Sequence, residues 1–250
     1  MASTVAAKRR PQRTATPAPS ARTRHAARGT RQRSPDAVVQ TVKQGILTGH
    51  YLPGARLTEA DLCSTFGLSR GPVREAMTRL AAEGVVMAGP ARGLYIRRLR
   101  RQEALDHIEV LQALIELAAR LACTRCKYEP SRGRLREAHA RLAASLARGD
   151  SQRRSIERTR FYEVLFEVAG NPELARLHPA ITGQILRAQV YPFLTAEDRS
   201  SQYADYAPLC QAILDGDVRA AVRIVGSHLG RSRKHALHLP DAAFESAAVL

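Results

Sequence analysis

Between residues 34 and 84 the chain is punctuated three times by a residue that opens a helix and a glycine that closes one. Ser34 precedes Pro35 and Asp36, which suit a first helical turn, and Val38, Val39, Val42, Ile46 and Leu47 then recur at helical spacing up to Gly49. After a Pro53-Gly54 turn, Thr58 with Asp61 three residues on has capping-box form. Leu57 can staple against Leu62, Leu62 and Phe66 make the apolar side, and Gly67 ends this second helix. Ser69 opens the third, with Leu68 placed to staple against Val73. Pro72 falls in its first turn, where a missing N–H has no helical partner to lose, and Gly84 ends it. Val73, Met77, Leu80 and Ala81 are expected to face inward, leaving Arg70, Gly71, Arg74 and Thr78 outside. "VVMAGPARGLYI" then reads as two short β-prone runs around a Gly-Pro-Ala-Arg-Gly turn, a β-hairpin.

Three helices and a hairpin in this order make a winged helix-turn-helix, whose third helix offers its N-terminal turn to the major groove. Arg70 and Arg74 stand one turn apart on one exposed face. Arginine bridges O6 and N7 of guanine, or grips phosphate through two parallel bonds. Gly71 lets the backbone approach a duplex closely, and the helix N-terminus itself favours phosphate. Arg92, with Gly93 beside it at the hairpin tip, is placed to reach the adjacent backbone or minor groove. Two exposed arginines alone make an ordinary solvated face. The spacing of the three helices, the hairpin and the charge of the chain turn the reading toward double-stranded DNA.

That charge is large: 39 Lys and Arg against 23 Asp and Glu give a formal +16, which suits a polyanionic partner. No apolar run approaches the roughly 20 residues of a membrane span. Residues 1–33 carry Lys8, Arg9, Arg10, Arg13, Arg22, Arg24, Arg28, Arg31 and Arg33 and no acid, in a context of Ala, Pro, Thr and Ser. This composition cannot bury enough apolar surface to fold alone, and it lacks the apolar core of a secretory signal. It reads as a disordered basic arm or as a start codon placed too early; an organellar transit peptide shares the composition. The expected location is the cytoplasm, on the nucleoid when DNA is bound.

From Glu103 onward helical periodicity dominates, over about 103–127, 131–148, 151–169, 172–190, 197–215 and 217–236. The first of these is apolar nearly all round (Leu105, Ile108, Leu111, Leu114, Ile115, Leu121), which places it centrally in a bundle. The fold class expected is therefore mainly α. A basic arm (1–33) precedes a winged helix-turn-helix (34–99), an all-helical domain (100–240) and a tail (241–250), with a short basic linker near Leu99–Gln102. Cys123 and Cys126 form a C-x-x-C late in a helix with no second pair and no nearby His, so they read as small, partly buried thiols rather than a zinc site.

The run "GARLTEADLCSTFGLSRGPVREAMTRLAAEGVV…GPARGLYIRRL" resembles the winged helix-turn-helix of the GntR family, with "SR-x-PVREA-x-x-RLA-x-EG" as a specific signature. The helical remainder, including "AGNPEL" at 169–174, is similar to the FCD effector domain of the FadR-like subgroup, so that the resemblance covers about residues 34–237. It implies a homodimeric transcriptional regulator, expected to be a repressor, on a palindromic operator. It also implies a helical domain that binds a small metabolite, commonly an organic acid, and alters operator affinity.

The resemblance implies a metal in some relatives, through an Asp and a His four apart on one helix and two further His on the last two helices. At the matching positions this chain has Arg158, Tyr162, Tyr206 and His228, so three of four ligands are replaced and one replacement is a cation. One imidazole and two phenols beside a guanidinium do not suit Zn²⁺ or Ni²⁺, and no metal or other cofactor is expected. A family arginine in the first bundle helix is replaced by Gln112. On pattern alone these positions point inward: Arg158 and Tyr162 share a stripe with Leu165 and Ala169, Tyr206 with Leu209, Cys210 and Ile213, and His228 with Ala221 and Val225. A buried cation needs a partner. Either Arg158 anchors the carboxylate of an effector in place of the metal, with Tyr162, Tyr206, His228 and Gln112 around it, or it pairs internally with a Glu such as Glu116 or escapes to solvent. The other readings are a regulator with a degenerate, ligand-free helical domain and, from a different class, an enzyme built on the bundle. The chain offers the latter no carboxylate pair, nucleophile motif or phosphate loop.

Overall fold

A computed structural model of the chain describes residues 34–89, 93–177 and 180–244. The basic arm, Arg92 at the hairpin tip and residues 245–250 lie outside them. The first domain contains α1 (Pro35–Thr48), β1 (Arg56–Leu57), α2 (Glu59–Phe66), α3 (Arg70–Ala82), β2 (Val86–Ala88) and β3 (Leu94–Ile96). The caps act as their chemistry demands. Ser34 Oγ accepts the amide of Ala37, Thr58 Oγ1 accepts that of Asp61, and Gly49 and Gly67 close α1 and α2 in the left-handed conformation that glycine adopts without strain. Ser69 holds the N-cap position of α3 with extended backbone, but its hydroxyl makes no capping bond.

Two details differ from the sequence reading. Ala76, not Ala81, completes the buried stripe of α3 with Val73, Met77 and Leu80; it lies three residues after one and four before another, as a 3.6 period requires, while Ala81 is exposed. The hairpin also gains a strand: β1 pairs antiparallel with β3, Arg56 opposite Tyr95 and Leu57 opposite Leu94, giving the sheet order β1-β3-β2.

The second domain contains α4 (Arg101–Arg125), α5 (Ser131–Ala147), α6 (Ser151–Ala169), α7 (Pro172–Leu177), α8 (Ala180–Val190), α9 (Ala196–Ser201), α10 (Tyr206–Asp215) and α11 (Val218–His238). As its composition demands, α4 is central, packing on α6, α10 and α11. The stretch expected as one helix over 172–190 comprises α7 and α8, with residues 178 and 179 between them outside the described ones. The helix expected over 197–215 is broken at 202–205, where Tyr203 turns into the core and the Asp205 carboxylate is taken by His228 and Arg231 on α11.

The two domains are not joined by a loose tether. α1 packs on α6 and α8. Leu99 in the linker is buried, and both its backbone groups are taken by the Gln189 side chain of α8: Leu99 N–H donates to Oε1 and Gln189 Nε2 donates to the Leu99 carbonyl, each at 2.8 Å. On the other side, Arg101 donates to the carbonyls of Ala236, Leu237 and Leu239 and to Asp241, and its guanidinium lies 4.6 Å over the Phe244 ring. Residues 241–244, expected to belong to a tail, are thus docked, with Ala243 and Phe244 buried. Cys123, Cys126 and Cys210 are free and buried, and burial pushes the Cys123 thiol up to about 11.

Candidate nucleic-acid interface and bundle cavity

On α3 the residues singled out by sequence share one open face. Arg70, Gly71, Arg74 and Thr78 are all exposed. A Cβ added at Gly71 would meet nothing within 4 Å, so the backbone here is accessible. Arg74, its side chain 64% exposed, donates from Nε to Glu59 Oε1 of α2 at 2.8 Å. A solvent-exposed pair of this kind is worth about 0–1 kcal/mol, so exchanging Glu59 for another anion costs little. The Thr78 hydroxyl donates back to the Arg74 carbonyl at 2.9 Å. α3 is fixed to α1 by Arg79, which meets Asp36 at 2.7 Å, and by the pair Lys43–Glu83.

The hairpin is less open than expected. Gly93 is buried: a Cβ there would stand 3.0 Å from Arg56 Nε and from the Tyr95 ring, so those side chains cover it and it offers a duplex no surface of its own. Arg56, exposed on β1 beside the hairpin, is the cation that sequence reasoning missed, because a two-residue strand carries no periodicity.

In the second domain, α4, α6, α8 and α11 and the start of α10 line a cavity of about 110 Å³. Arg158, Tyr162, Tyr206 and His228, from three different helices, all line it. The Tyr206 hydroxyl donates to that of Tyr162 at 3.2 Å, and Tyr162 meets His228 Nε2 at 3.5 Å. His228 Nδ1 lies 2.9 Å from Asp205 Oδ2, so Nδ1–H donates there and Nε2 keeps its lone pair toward the tyrosines. Burial, then the guanidiniums of Arg158 and Arg187, bring the His228 pKa down to about 4, so the imidazole is neutral at physiological pH.

Arg158 finds no carboxylate. Its neighbour Glu157 meets Arg153 at 2.7 Å and Arg160 at 3.2 Å, and Glu116, weighed as an internal partner, instead accepts the Gln112 amide at 2.8 Å. Arg158 hydrogen-bonds Tyr206 and stands 5.6 Å over the Tyr162 ring, while its Nε is buried without a partner. Gln112 is not among the lining residues; it faces Gly226 on α11. Arg187 on α8, which sequence reasoning passed over, does line the cavity. The donor set does not fit a divalent cation: it offers two imidazoles, His228 already paired with Asp205 and His235 with Asp198, and two phenols beside two guanidiniums. Among the described residues no group of three or more His, Cys, Asp or Glu is placed to hold a metal. Among the same residues no helix is long and apolar enough to cross a membrane.

Fold and exposed arginine face together define a winged helix-turn-helix regulator with a second, all-helical domain. The model of the bacterial regulatory proteins of the gntR family matches residues 35–96, and that of the FCD domain matches residues 106–231. The chain belongs to the GntR family, in its FCD-containing, FadR-like subgroup, and is a DNA-binding transcriptional regulator, not an enzyme. It is 37% identical over 76 residues to the Nta operon transcriptional regulator of Aminobacter aminovorans, a match covering 30% of this chain and 36% of that protein. A protein named as a probable D-xylose utilization operon transcriptional repressor, from Paenarthrobacter nicotinovorans, is 24% identical over 86% of this chain and 89% of its own length. Among solved structures, E. coli McbR/YncC shares the fold with a TM-score of 0.70 at 19% identity, over 81% of this chain and 96% of that one.

Proposed function

We propose that the protein is a homodimeric repressor that binds a palindromic operator through α3 and is controlled by a small organic acid held in the bundle cavity. Arg70, Gly71, Arg74 and Thr78 meet the duplex, and Arg92 adds a further contact. Arg158 grips the carboxylate of the effector, the hydroxyls of Tyr162 and Tyr206 donate to it, and neutral His228 accepts from an acid's hydroxyl or from Tyr162. The observation that carries this reading is Arg158 itself: a guanidinium in the wall of the bundle cavity, lacking any carboxylate and with its Nε unpaired. Such a group is costly to bury unless an anion completes it. Repression is supported by the name of the D-xylose operon relative. The test is a thermal-shift screen of organic acids on the full chain, followed by operator binding with and without the hit. Arg158→Ala should lose the effector response while its effector-free operator affinity stays unchanged. A normal response in that variant, or no stabilisation by any acid, would return the domain to a ligand-free scaffold.

A further inference from the structure

The charge balance of the cavity says more about the effector than that it is an acid. Two guanidiniums line the cavity, Arg158 from α6 and Arg187 from α8, and no Asp or Glu is among its lining residues. Asp205, the carboxylate behind His228, is already matched by Arg231. Arg187 donates to Gln202 Oε1 at 2.7 Å and to the Tyr203 hydroxyl, and its guanidinium lies 5.1 Å over the Tyr191 ring and 5.3 Å over that of Tyr203. All these partners are neutral. They orient the side chain and attract it, but they do not cancel its charge, and two hydrogen bonds leave most of its five donors for another acceptor. Burial, and then the nearby Arg158, pull the Arg187 guanidinium below its usual range, so the two cations repel each other across the site.

Resting on the reading that this cavity takes an acidic effector, we infer that the effector is a small anion carrying two negative charges, with Arg187 as its second anchor. A single carboxylate would leave one buried guanidinium uncompensated, whereas a doubly charged anion removes both the deficit and the repulsion. Size sets a further limit: about 110 Å³ is less than the ~150 Å³ that accepts a benzene ring, so the anion is compact. Ile108, Leu111, Leu186 and Val190 give it an apolar wall, which suits the methylenes of a short dicarboxylate; a phosphate monoester supplies the same charge from one group. Arg187 also lines the neighbouring cleft formed with Ile46, Thr48 and Gly49 at the end of α1, so the second anchor stands where the two domains meet.

Titration calorimetry on the full-length protein at about pH 7.5 and constant ionic strength tests this with succinate and glutarate, butyrate, and methyl phosphate, which is mostly a dianion at that pH. At least one dianion should bind about tenfold or more tighter than butyrate. Preference for a dicarboxylate identifies charges at both ends, and preference for methyl phosphate identifies both charges on one group. Arg187→Gln should bring the preferred dianion down to the level of butyrate, while Arg187→Lys, which keeps the charge, should retain much of the preference. Butyrate binding as tightly as every dianion would overturn the second anchor and leave the acidic effector standing. So would a preference that survives in a folded Arg187→Gln protein. No binding by any of the four would overturn both readings, and the wild-type comparison decides even where the Gln variant does not fold.

Discussion

Replacing Gln189 by leucine removes both hydrogen bonds that hold Leu99 while keeping side-chain size nearly constant. In the wild type, one amide accepts from the Leu99 N–H and donates to the Leu99 carbonyl, each at 2.8 Å and in a buried setting. Leucine leaves an N–H and a C=O unpaired away from water, at about 1–3 kcal/mol each, so about 2–6 kcal/mol in all. The variant no longer has to strip water from a polar amide, which gives back about 1–2 kcal/mol. The net expectation spans about 0–5 kcal/mol with a central value of about 2.5 kcal/mol, a large share of the 5–15 kcal/mol of a typical domain. Urea unfolding followed by far-ultraviolet circular dichroism measures it. Gln189→Glu, which points a second acceptor at the Leu99 carbonyl, should be at least as damaging at neutral pH. A change below about 0.5 kcal/mol in the leucine variant would show that the linker is not held by this amide.

Arg74→Ala should leave the thermal midpoint almost unchanged, since the residue is exposed, but cost about 1–3 kcal/mol in operator binding and relax preference at one base pair per half-site; footprints identical to wild type would remove Arg74 from the interface. Deleting residues 1–33 takes away nine cations and should flatten the dependence of DNA affinity on salt while sparing base preference; an unchanged slope would show that the arm stays off the duplex. Burial, then Arg97, brings the His107 pKa down to about 4, so the folded state keeps this imidazole neutral where the unfolded chain takes up a proton. Its stabilising share is complete above about pH 6.5 and fades as pH falls toward 4, by on the order of 3 kcal/mol, with His228, also brought down to about 4, adding a part of the same sign. Denaturation between pH 7 and 4 should show this slope, and His107→Leu should flatten it; an equal slope in that variant would refute the assignment.

Local signals made the DNA-binding domain legible, because caps, glycine stops and the Arg70–Arg74 spacing are all written within a turn or two of the residues they govern. The stripe from Arg158 to Ala169 and those carrying Tyr206 and His228 were legible for the same reason, and they do converge on one cavity. What was not legible depends on distant partners. β1 exists because β3 pairs with it, and the break at 202–205 exists because Asp205 is claimed from α11. Arg187 sits in an ordinary helical run, and only the packing of α8 against α1 and α4 and its place in the cavity lining show where it faces. The cover over Gly93 is not legible locally either, because the side chains that form it come from β1 and β3. Gln112 followed a family position, but its amide is occupied by Glu116 on the same helix.

The docking of residues 241–244 against the linker has a consequence for how the molecule is made. Arg101 leaves the ribosome 140 residues before the Asp241 that it grips. At about 5–20 residues per second, that interval is roughly 7–30 s, and for all of it the three helices and the sheet of the first domain are already complete. The DNA-reading surface is therefore assembled while the linker behind it has no C-terminal partner, and the late-synthesised 239–244 segment closes the latch that joins the domains. A nascent chain arrested before residue 239 carries the recognition helix without that latch.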